Sequence, residues 1–282
     1  MSPAAPPRLF AVLGHPIAHS LSPRLQQGAL DALGVPAAFL AIDVPPDRFD
    51  ESLRRLHGLG AFGLSVTAPL KQLAYAASAS VTEEARAAGV ANCLRAAAGG
   101  FDATNTDGAG FVDFARDVGL ALDGCRVVLL GGGGAAAGLV PALVRAGADV
   151  RVIARDESKV RRLAGLARVE LAVWGSAAAR EALGAADLVV QTTPLGANAD
   201  DPLPCDPAWL AAGAACVDLR YAPRRTPWLA AARARGLAAF DGLGLLVHQG
   251  AHSLRYWLGV EPPLDRLREL VGWKPAPLGD DD

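Results

Sequence analysis

Short apolar runs alternate with helical stretches along the first part of the chain. The runs RLFAVLG (8–14), AAFLAIDV (37–44) and AFGLSVT (61–67) are separated by the amphipathic stretches SPRLQQGALDAL (22–33) and DRFDESLRRLHGL (47–59). A short apolar run indicates a buried strand, and apolar residues at helical spacing indicate a surface helix. This alternation is typical of βα units, whose strands lie side by side in a parallel sheet.

A second series of strand and helix patterns begins near residue 125. Its apolar runs are CRVVLLG, ADVRVIA, VELAVW, ADLVVQT, AACVDL and LAAF. They are almost continuously apolar, as expected for strands of a sheet covered on both faces. The segment between the two series, AGGFDATNTDGAGF (98–111), is rich in Gly, Asn, Thr and Asp. We therefore place the first domain boundary there, and expect the helical pattern after residue 240 to close one of the two domains.

Length and composition fit two globular domains. The chain has 282 residues, and at roughly 150 residues per domain about two are expected. Hydrophobic residues make up 51% and charged residues 20% of the chain, which supports a buried core. Together with the strand and helix pattern, this predicts an α/β fold of two domains. The net charge is -2, so no strongly basic surface is expected to attract nucleic acid or an anionic membrane.

The cysteines and the N-terminal segment indicate a cytoplasmic protein. The four cysteines are scattered without the spacing of a zinc site or a disulfide framework, so we expect free thiols in a reducing compartment. The segment MSPAAPPRLFAVLG lacks the pattern of a signal peptide. Residues 127–144 carry no charge, but the glycines from Gly131 to Gly134 and Pro141 favour a buried strand, a turn and a helix over a membrane span.

A glycine-rich turn follows the first strand of the second series. Gly131, Gly133 and Ala136 fit the pattern G-x-G-x-x-G/A, directly after an apolar strand and at the start of a helical stretch. Glycine lets the backbone approach a pyrophosphate, whose charge then faces the free amides of the helix. A flexible turn without a ligand would use the same glycines, but the order strand, loop, helix, strand favours a dinucleotide site.

The end of the next strand bears on which dinucleotide is bound. The sequence there reads Ala154, Arg155, Asp156, and Lys159 follows one turn later. An acidic residue at this point hydrogen-bonds the ribose of NAD, whereas an arginine accommodates the 2′-phosphate of NADP. Arg155 and Lys159 favour NADP, Asp156 opposes it, and NAD remains possible. An exposed helix start with Asp156 as N-cap is the alternative without a ligand.

The N-terminal loop GHPIAHSLSPRL offers two hydroxyl groups. Ser20 and Ser22 stand just before a predicted helix, and two hydroxyls with free helix amides can bind a carboxylate. The alternative is that Ser22 is simply the N-cap of a helix that begins at Pro23. His15 and His19 flank the loop, but two histidines without a third ligand do not predict a metal site.

Further polar side chains of the first half lie at strand ends and on loops. In GLSVTAPLKQ, Thr67 ends a strand and Lys71 follows a proline-started turn. A lysine there could transfer a proton, although a solvated lysine is the commoner case. Asn92 in GVANC, and Asn105 and Asp107 in NTDGAGF, provide amide and carboxylate groups on loops. Each of these three is, by itself, more typical of a turn than of a binding site.

Seven sequence blocks stand in an order that one enzyme family shares. They are AVLGHPIAHSLSP, the V-T-x-P-x-K of residues 66–71, AGVAN, TNTDGAGF, GGGGAAAG, DLRYAPRRTPWL and DGLGLLVHQGA. Over about residues 10–270 the chain thus resembles shikimate dehydrogenases and their quinate- and aminoshikimate-acting relatives. The resemblance implies a catalytic domain, 1–107 completed by 241–282, and a Rossmann-type NADP-binding domain, 108–240. It also implies reversible NADPH-dependent reduction of 3-dehydroshikimate to shikimate, on the chorismate pathway of aromatic amino-acid biosynthesis.

The resemblance assigns roles to individual residues. Lys71 and Asp107 would form the catalytic pair, since an ammonium can stabilise the charge on the ketone oxygen and supply its proton. Asp107 would keep the lysine charged and oriented. The small cyclic hydroxy acid would be bound by Ser20, Ser22, Thr67, Asn92, Tyr221 and Gln249. NADP would be held by Gly131, Gly133, Gly134, Ala135, Arg155, Lys159 and Gly242. No metal is required.

Several positions depart from the family's usual pattern, and three of them bear on the substrate or on the cofactor. Ser65 stands where asparagine is usual, Cys93 where threonine is usual and Ala154 where asparagine is usual. Ser65 and Cys93 could change which ring acid is preferred, so a quinate or aminoshikimate dehydrogenase using NAD or NADP remains an alternative. A non-catalytic nucleotide-binding protein is a further alternative, although the presence of both Lys71 and Asp107 argues against it. Both a monomer and a homodimer agree with the sequence.

Overall fold

The chain forms two compact units, each built around its own sheet. The computed structural model describes residues 6–155, 163, 169–196 and 201–279. The first unit comprises Met1–Gly110 and Leu246–Trp273, and the second comprises Phe111–Leu245 and Lys274–Asp282. Each unit contains strands and helices, which confirms the predicted α/β class.

Strands and helices are numbered in chain order over the described residues. The strands are β1 (Arg8–Gly14), β2 (Ala37–Asp43), β3 (Ala61–Val66), β4 (Ser80–Val81), β5 (Cys93–Ala97), β6 (Gly100–Thr104), β7 (Arg126–Leu130), β8 (Asp149–Ala154), β9 (Glu170–Val173), β10 (Leu188–Gln191), β11 (Ala215–Asp218) and β12 (Ala238–Phe240). The helices are α1 (Ser22–Ala32), α2 (Phe49–Gly58), α3 (Lys71–Ala77), α4 (Glu83–Ala88), α5 (Asp107–Asp117), α6 (Gly134–Arg145), α7 (Ala177–Ala185), α8 (Pro227–Ala234), α9 (Leu243–Leu258) and α10 (Leu264–Val271). Short 3-10 helices lie at Pro46–Arg48 and Pro207–Trp209.

The sheet of the first unit is mixed. Its strand order is β2-β1-β3-β5-β6-β4. β1 pairs in parallel with β2 and β3, whereas β5 is antiparallel to both β3 and β6. Only Ala98 and Gly99 separate β5 from β6, and two residues suffice for a hairpin but not for a parallel crossover. The predicted parallel arrangement of the runs 8–14, 37–44 and 61–67 is confirmed. The sequence pattern did not predict the hairpin of β5 and β6, and β6 occupies part of the segment 98–111 that we assigned to a domain boundary.

Glycines allow α9 to pack closely within the first unit. A Cβ at Gly63 of β3 would lie 2.7 Å from Nε1 of Trp257 on α9. On α9 itself, a Cβ at Gly250 would lie 2.8 Å from Cδ2 of Leu25 on α1, and Gln26 Nε2 donates to the Gly250 carbonyl at 3.2 Å. Side chains at either glycine would separate these elements. The close contacts place the middle of α9 beside α1 and its C-terminal end beside β3.

The sheet of the second unit is entirely parallel over its described pairings. Its order is β12-β11-β10-β7-β8-β9. The chain runs outward from β7 to β9 and then crosses to β10 on the other side of β7. Such a reversal opens a crevice at the carboxyl ends of the two central strands, where ligands bind in open α/β sheets. The glycine turn follows β7, at this point.

The uncharged stretch 127–144 contains most of β7, the glycine turn and most of α6, as predicted. Among the described residues, no helix is long and apolar enough to cross a membrane. The composition of the last ten residues, WKPAPLGDDD, predicts a loose acidic tail, and the structure differs from this prediction at Leu278. Leu278 is buried, and its N–H donates to the Ala239 carbonyl at 2.8 Å. This hydrogen bond ties the last described residues to β12 of the second unit.

Candidate active site

A lysine and an aspartate form an ion pair in the first unit. Lys71 Nζ lies 2.6 Å from Asp107 Oδ2, and the two side chains are 13% and 9% exposed. Lys71 begins α3 and Asp107 begins α5. The N-terminus of a helix favours negative charge, which supports the carboxylate at the start of α5. Because little water reaches the pair, each charge depends on the other for its stabilisation.

The backbone around Thr67 brings Lys71 into the site. Thr67 N donates to the Leu13 carbonyl at 2.8 Å, which holds the end of β3 against β1. A Cβ at Gly14 would lie 2.5 Å from Thr67 Cγ2, so only glycine leaves room for this approach. The Lys71 carbonyl accepts a hydrogen bond from Ala91 N at 2.9 Å. These contacts connect the start of α3 both to β1 and to the segment that precedes β5.

Asn92 joins the ion pair through its side chain. Its Nδ2 donates to Asp107 Oδ1 at 2.8 Å and to Thr106 Oγ1 at 3.0 Å, and its Oδ1 accepts from Thr106 N at 2.7 Å. The residue is 2% exposed. Asp107 N donates to Asn105 Oδ1 at 3.1 Å, which orders the turn into α5. One oxygen of the Asp107 carboxylate thus meets Lys71, and the other meets Asn92.

Two hydroxyl residues that the sequence did not point to extend this network. Thr106 Oγ1 lies 3.3 Å from Ser253 Oγ, and Ser253 Oγ donates to the Gln249 carbonyl at 2.9 Å. Thr106 is 4% exposed and Ser253 is fully buried. Two features of the sequence could have indicated these residues. Thr106 directly precedes Asp107, and Ser253 follows Gln249 by four residues, which places Ser253 and Gln249 on the same helix face.

The two serines of the N-terminal loop lie at the start of α1. The helix begins at Ser22, its N-cap position is Leu21, and no side chain caps it. Ser22 N donates to Ser20 Oγ at 3.2 Å. The alternative that Ser22 caps a helix starting at Pro23 is therefore wrong, because Ser20 rather than Ser22 accepts from the helix start. Ser22 is buried and Ser20 is half-buried.

Gln249 lies where α9 meets α5 in the first unit. A Cβ at Gly110 would lie only 2.6 Å from Gln249 N, so the two helices touch backbone to backbone. The Gln249 side chain is half-buried, and its Nε2 donates to the Leu246 carbonyl at 2.9 Å. The first unit therefore contains Lys71, Asp107 and Gln249, three residues that are far apart in the chain.

Two of the departures from the family pattern are cross-strand neighbours. Ser65 on β3 stands opposite Cys93 on β5, and Cys93 stands opposite Thr104 on β6. Ser65 and Cys93 are both buried. Burial raises the pKa of the Cys93 thiol well above its usual value, and hydrogen bonding to Ser253 only partly opposes this rise. The thiol therefore stays neutral and adds no negative charge near Asp107.

The histidines of the N-terminal loop show no metal geometry. His15 Nδ1 lies 2.7 Å from Asp43 Oδ1 in an exposed pair, and His19 is also exposed. Over the residues that the structure describes, no group of three His, Cys, Asp or Glu side chains could hold a metal ion. The pair between His15 and Asp43 fixes the end of β1 against the end of β2.

In the second unit the glycine turn has the geometry of an anion site. Gly131 has φ +117°, and a Cβ there would lie 2.6 Å from Thr193 Cγ2, so glycine is required. Gly133 is the N-cap of α6, no side chain caps the helix, and a Cβ at Gly133 would meet nothing within 4 Å. Gly134 and Ala135 form the first turn of α6 and are half-buried. Uncapped amides beside open space fit the pyrophosphate of a dinucleotide.

The residues that bear on NADP are only partly described. Arg155 is exposed and follows β8, which pairs in parallel with β7. This places Arg155 on the strand end next to the glycine turn. Lys159 and Asp156 lie outside the described residues. The predicted contact of Arg155 with a 2′-phosphate stays a prediction.

Gly242 and Tyr221 also belong to the second unit. A Cβ at Gly242 would lie 2.1 Å from the Leu219 carbonyl oxygen, so the segment after β12 needs glycine to pass the segment after β11. Tyr221 follows β11 and is half-buried. The roles implied for both residues toward ligands stay predictions.

The second unit has the parallel sheet and the uncapped glycine turn of a dinucleotide-binding domain. The first unit contains a buried lysine–aspartate pair that can transfer a proton. Together these features define an NAD(P)-dependent oxidoreductase of the α/β class. Three family profiles match this division of the chain. Residues 12–94 match the shikimate dehydrogenase substrate binding domain, residues 118–200 match a putative NAD(P)-binding family, and residues 242–271 match the shikimate 5'-dehydrogenase C-terminal domain.

Whole-chain comparisons agree with these matches. A shikimate dehydrogenase (NADP(+)) of Acidiphilium cryptum (strain JF-5) is 40% identical over 261 residues, covering 92% of this chain and 93% of its own length. Shikimate dehydrogenase of Aquifex aeolicus has a TM-score of 0.87 at 28% identity, covering 94% of this chain and 97% of its own. The Thermus thermophilus enzyme in complex with NADP(H) and shikimate has a TM-score of 0.84 at 32% identity, covering 94% and 98%. The chain belongs to the shikimate dehydrogenase family, which confirms the resemblance found in the sequence.

Proposed function

We propose that this protein interconverts 3-dehydroshikimate and shikimate with NADP as cofactor. The observation that carries the proposal is the contact of 2.6 Å between Lys71 Nζ and Asp107 Oδ2, with both side chains mostly buried. A proton donor held next to a carboxylate is what reduction of a ring ketone requires. The curated relative from Acidiphilium cryptum is a shikimate dehydrogenase (NADP(+)), which supports both the substrate and the cofactor.

The second unit is suited to hold the cofactor. The pyrophosphate of the cofactor would lie against the amides of Gly133, Gly134 and Ala135 at the uncapped start of α6. Arg155, exposed at the end of the neighbouring strand, would bind the 2′-phosphate. When bound, the reduced nicotinamide supplies the hydride that the carbonyl carbon of the ring accepts.

Lys71 would donate the proton in one direction of the reaction and accept it in the other. In the reducing direction, the carbonyl carbon gains a hydride and the carbonyl oxygen gains the proton from Lys71 Nζ. The product is a secondary alcohol, and the neutral lysine regains its proton from solvent. In the oxidising direction the neutral amine accepts the hydroxyl proton. Asp107, held by Asn92 at its second oxygen, fixes the lysine and stabilises its charged form.

The remaining polar residues would bind the ring acid. Ser22 and Ser20 at the start of α1 provide hydroxyls for the substrate carboxylate. Thr67 follows β3, and Gln249 lies on α9; both would hydrogen-bond ring hydroxyls. Tyr221 would assist at the carboxylate.

A spectrophotometric assay tests this function. Purified protein is mixed with shikimate and NADP⁺, and the absorbance of NADPH is followed; quinate, aminoshikimate and NAD⁺ are run in parallel. We expect the highest kcat/KM for shikimate with NADP⁺. A higher value for quinate or aminoshikimate would support the alternative substrates, and the buried Ser65 and Cys93 would then be the first positions to exchange. No turnover with any of these acids would rule out the proposal.

We place the protein in the cytoplasm because its four cysteines are free, and three of them are buried. Free thiols are typical of a reducing compartment. A monomer and a homodimer both agree with the proposed chemistry, since Lys71 and Asp107 meet within one chain. Analytical ultracentrifugation distinguishes the two states.

A further inference from the structure

We propose that Thr106 and Ser253 are positioning residues for the reaction. Their hydroxyls fix the amide of Asn92, and Asn92 in turn fixes the Asp107 carboxylate against Lys71. The inference rests on the proposed function, and it gives a role to two buried residues to which the family resemblance assigns none. It is based on the hydrogen-bonding capacity of each group and on the direction of each bond.

Both N–H groups and the oxygen of the Asn92 side-chain amide form hydrogen bonds with other residues of the protein. An amide side chain has two N–H donors and an oxygen that accepts two hydrogen bonds. The donors go to Asp107 Oδ1 at 2.8 Å and Thr106 Oγ1 at 3.0 Å. The oxygen accepts from Thr106 N at 2.7 Å and lies 3.2 Å from Thr106 Oγ1. Asn92 is therefore bonded to Asp107 on one side and to Thr106 on the other.

Thr106 decides which way the Asn92 amide points. The backbone N–H of Thr106 can only donate, so it selects Oδ1 of Asn92 as its partner. Nδ2 is then turned toward the carboxylate of Asp107. A flipped amide would place its oxygen against a carboxylate oxygen and its NH₂ group against the Thr106 N–H. Both pairs would repel, and both buried groups would lose their hydrogen bonds.

Ser253 gives the hydroxyl chain its direction. The Ser253 hydroxyl has one proton, and it donates this proton to the Gln249 carbonyl at 2.9 Å. Toward Thr106, at 3.3 Å, the Ser253 oxygen can therefore only accept. Thr106 accepts from Asn92 Nδ2, and its own proton can go to Ser253 Oγ or to Asn92 Oδ1, which lies 3.2 Å away. The resulting chain runs from Asn92 through Thr106 and Ser253 to the backbone of α9.

This chain joins two parts of the proposed site. One end is the Asp107 carboxylate beside Lys71, and the other is the turn of α9 that carries Gln249. Ser253 is fully buried and Thr106 is 4% exposed, so water does not replace either hydroxyl. Loss of one hydroxyl would leave its buried partner unsatisfied and loosen the alignment of Asp107. Alignment errors of this kind lower the rate of a reaction more than the binding of its substrate.

The test replaces one hydroxyl at a time. Thr106→Val keeps the shape of threonine and removes only the hydroxyl. We expect kcat to fall about tenfold, with the KM for the ring acid within about twofold of wild type. Thr106→Ser restores the hydroxyl and should return kcat to within about twofold of wild type. Ser253→Ala should lower kcat with the same unchanged KM, because it removes the hydroxyl that joins Thr106 to the Gln249 carbonyl of α9.

Thr104→Val is the matched control. Thr104 is as buried as Thr106 and stands two residues earlier, but its Oγ1 lies 2.9 Å from Thr82 Oγ1 and has no bond to the Asn92 side chain. We expect Thr104→Val to keep the wild-type kcat. The inference is overturned if Thr106→Val keeps the wild-type kcat, or if Thr104→Val loses as much as Thr106→Val.

A measurement without turnover separates this inference from the proposed function. Nuclear magnetic resonance of the Asn92 side-chain amide should show two distinct, slowly exchanging protons in the wild type, and faster exchange in Thr106→Val and in Ser253→Ala. If the wild type reduces none of the ring acids, the proposed function fails while this protection still tests the network. A wild-type Asn92 amide that exchanges as fast as an exposed asparagine overturns the inference, even where Thr106→Val does not fold.

Discussion

Lys71 and Asp107 are charged residues, and either charge would be unstable in this site without the other. Their side chains are 13% and 9% exposed, and a charge removed from water costs several kcal/mol unless a partner compensates it. The contact between them provides that compensation, and Asn92 provides a further hydrogen bond to the carboxylate. The pair is thus stable in the folded chain while leaving a proton available next to a substrate.

Lys71→Met removes the ammonium and keeps an apolar side chain of similar length. We expect kcat to fall at least 100-fold, on the order of a general acid's contribution, because no group then supplies the proton. NADP⁺ affinity, measured by fluorescence titration, should change less than about twofold. Lys274→Met is the control, since Lys274 is exposed. A Lys71→Met variant with kcat within about threefold of wild type would contradict the role.

Arg155 is the described residue on which the preference for NADP can be tested. We expect Arg155→Ala to raise the KM for NADP⁺ about tenfold or more, the size of one lost charge-assisted hydrogen bond. The KM for NAD⁺ should change little, because NAD⁺ lacks the 2′-phosphate. Arg145→Ala is the control: Arg145 is also exposed and ends α6, at the opposite end from the glycine turn. Equal effects on both cofactors would exclude the contact.

At the scale of strands and helices, the first unit depends on helices that approach each other without side chains between them. The start of α5 meets α9 where a Cβ at Gly110 would lie 2.6 Å from Gln249 N and 2.8 Å from its Cα. Both contacts are to backbone, which cannot rotate away as a flexible side chain can. The spacing of these two helices therefore sets the distance between Asp107 and Gln249.

Gly110→Ala should force α5 and α9 apart. We expect a loss of about 1–3 kcal/mol in the free energy of unfolding, typical of overpacking, together with a lower kcat. Urea unfolding followed by circular dichroism measures the first effect. Gly58→Ala, at the end of α2, is the control, since a Cβ there meets nothing within 4 Å. A Gly110→Ala variant as stable as Gly58→Ala would show that the helices are not in contact as described.

An exposed ion pair links the two central strands of the second unit. Arg126, the first residue of β7, donates from its backbone N and its Nε to Asp187 Oδ2, both at 2.9 Å. Asp187 directly precedes β10. Arg126 lowers the pKa of Asp187 from its usual 3.8 to about 2, through side-chain and backbone hydrogen bonds. The pair therefore contributes stability above pH 3.8 that is lost as the pH falls toward 2.

Asp187→Asn should lower the free energy of unfolding by at most about 1 kcal/mol at neutral pH, because both side chains are about half exposed. The difference from wild type should shrink as the pH falls from 3.8 to about 2, where half of the wild-type carboxyl is protonated, and close below that pH. Urea unfolding over a pH series measures this. Asp265→Asn is the control, since its side chain is 91% exposed. A difference that persists at the lowest pH would contradict the assignment.

At the scale of the whole molecule, the chain passes between its two units more than once. It leaves the first unit within α5, re-enters it within α9 and joins the second unit again after Trp273. The last crossing explains why the expectation of a loose tail is wrong for Leu278, which packs into the core of the second unit. Composition cannot reveal such packing, because one leucine among polar residues and prolines has no periodicity.

The sequence predicted the catalytic pair of the proposed site but not the hydroxyls that support it, and the reason is physical. Lys71 and Asp107 stand in motifs whose letters are distinctive, so the resemblance could identify them. Thr106 and Ser253 are 147 residues apart, and neither hydroxyl stands out among the many that the chain contains. Their pairing depends on how closely α9 approaches the start of α5, and spacing along the chain has no information on that distance.

The sequence by itself determined the α/β class, the parallel sheet of the second unit and the family, since these follow from apolar periodicity and from local motifs. Tertiary structure alone decided the antiparallel β5–β6 pair of the first unit and the hydrogen bonds around Asn92. Periodicity records which faces of an element are buried. It does not record which distant group each face meets, and hydrogen bonds depend on that partner to within a few tenths of an ångström.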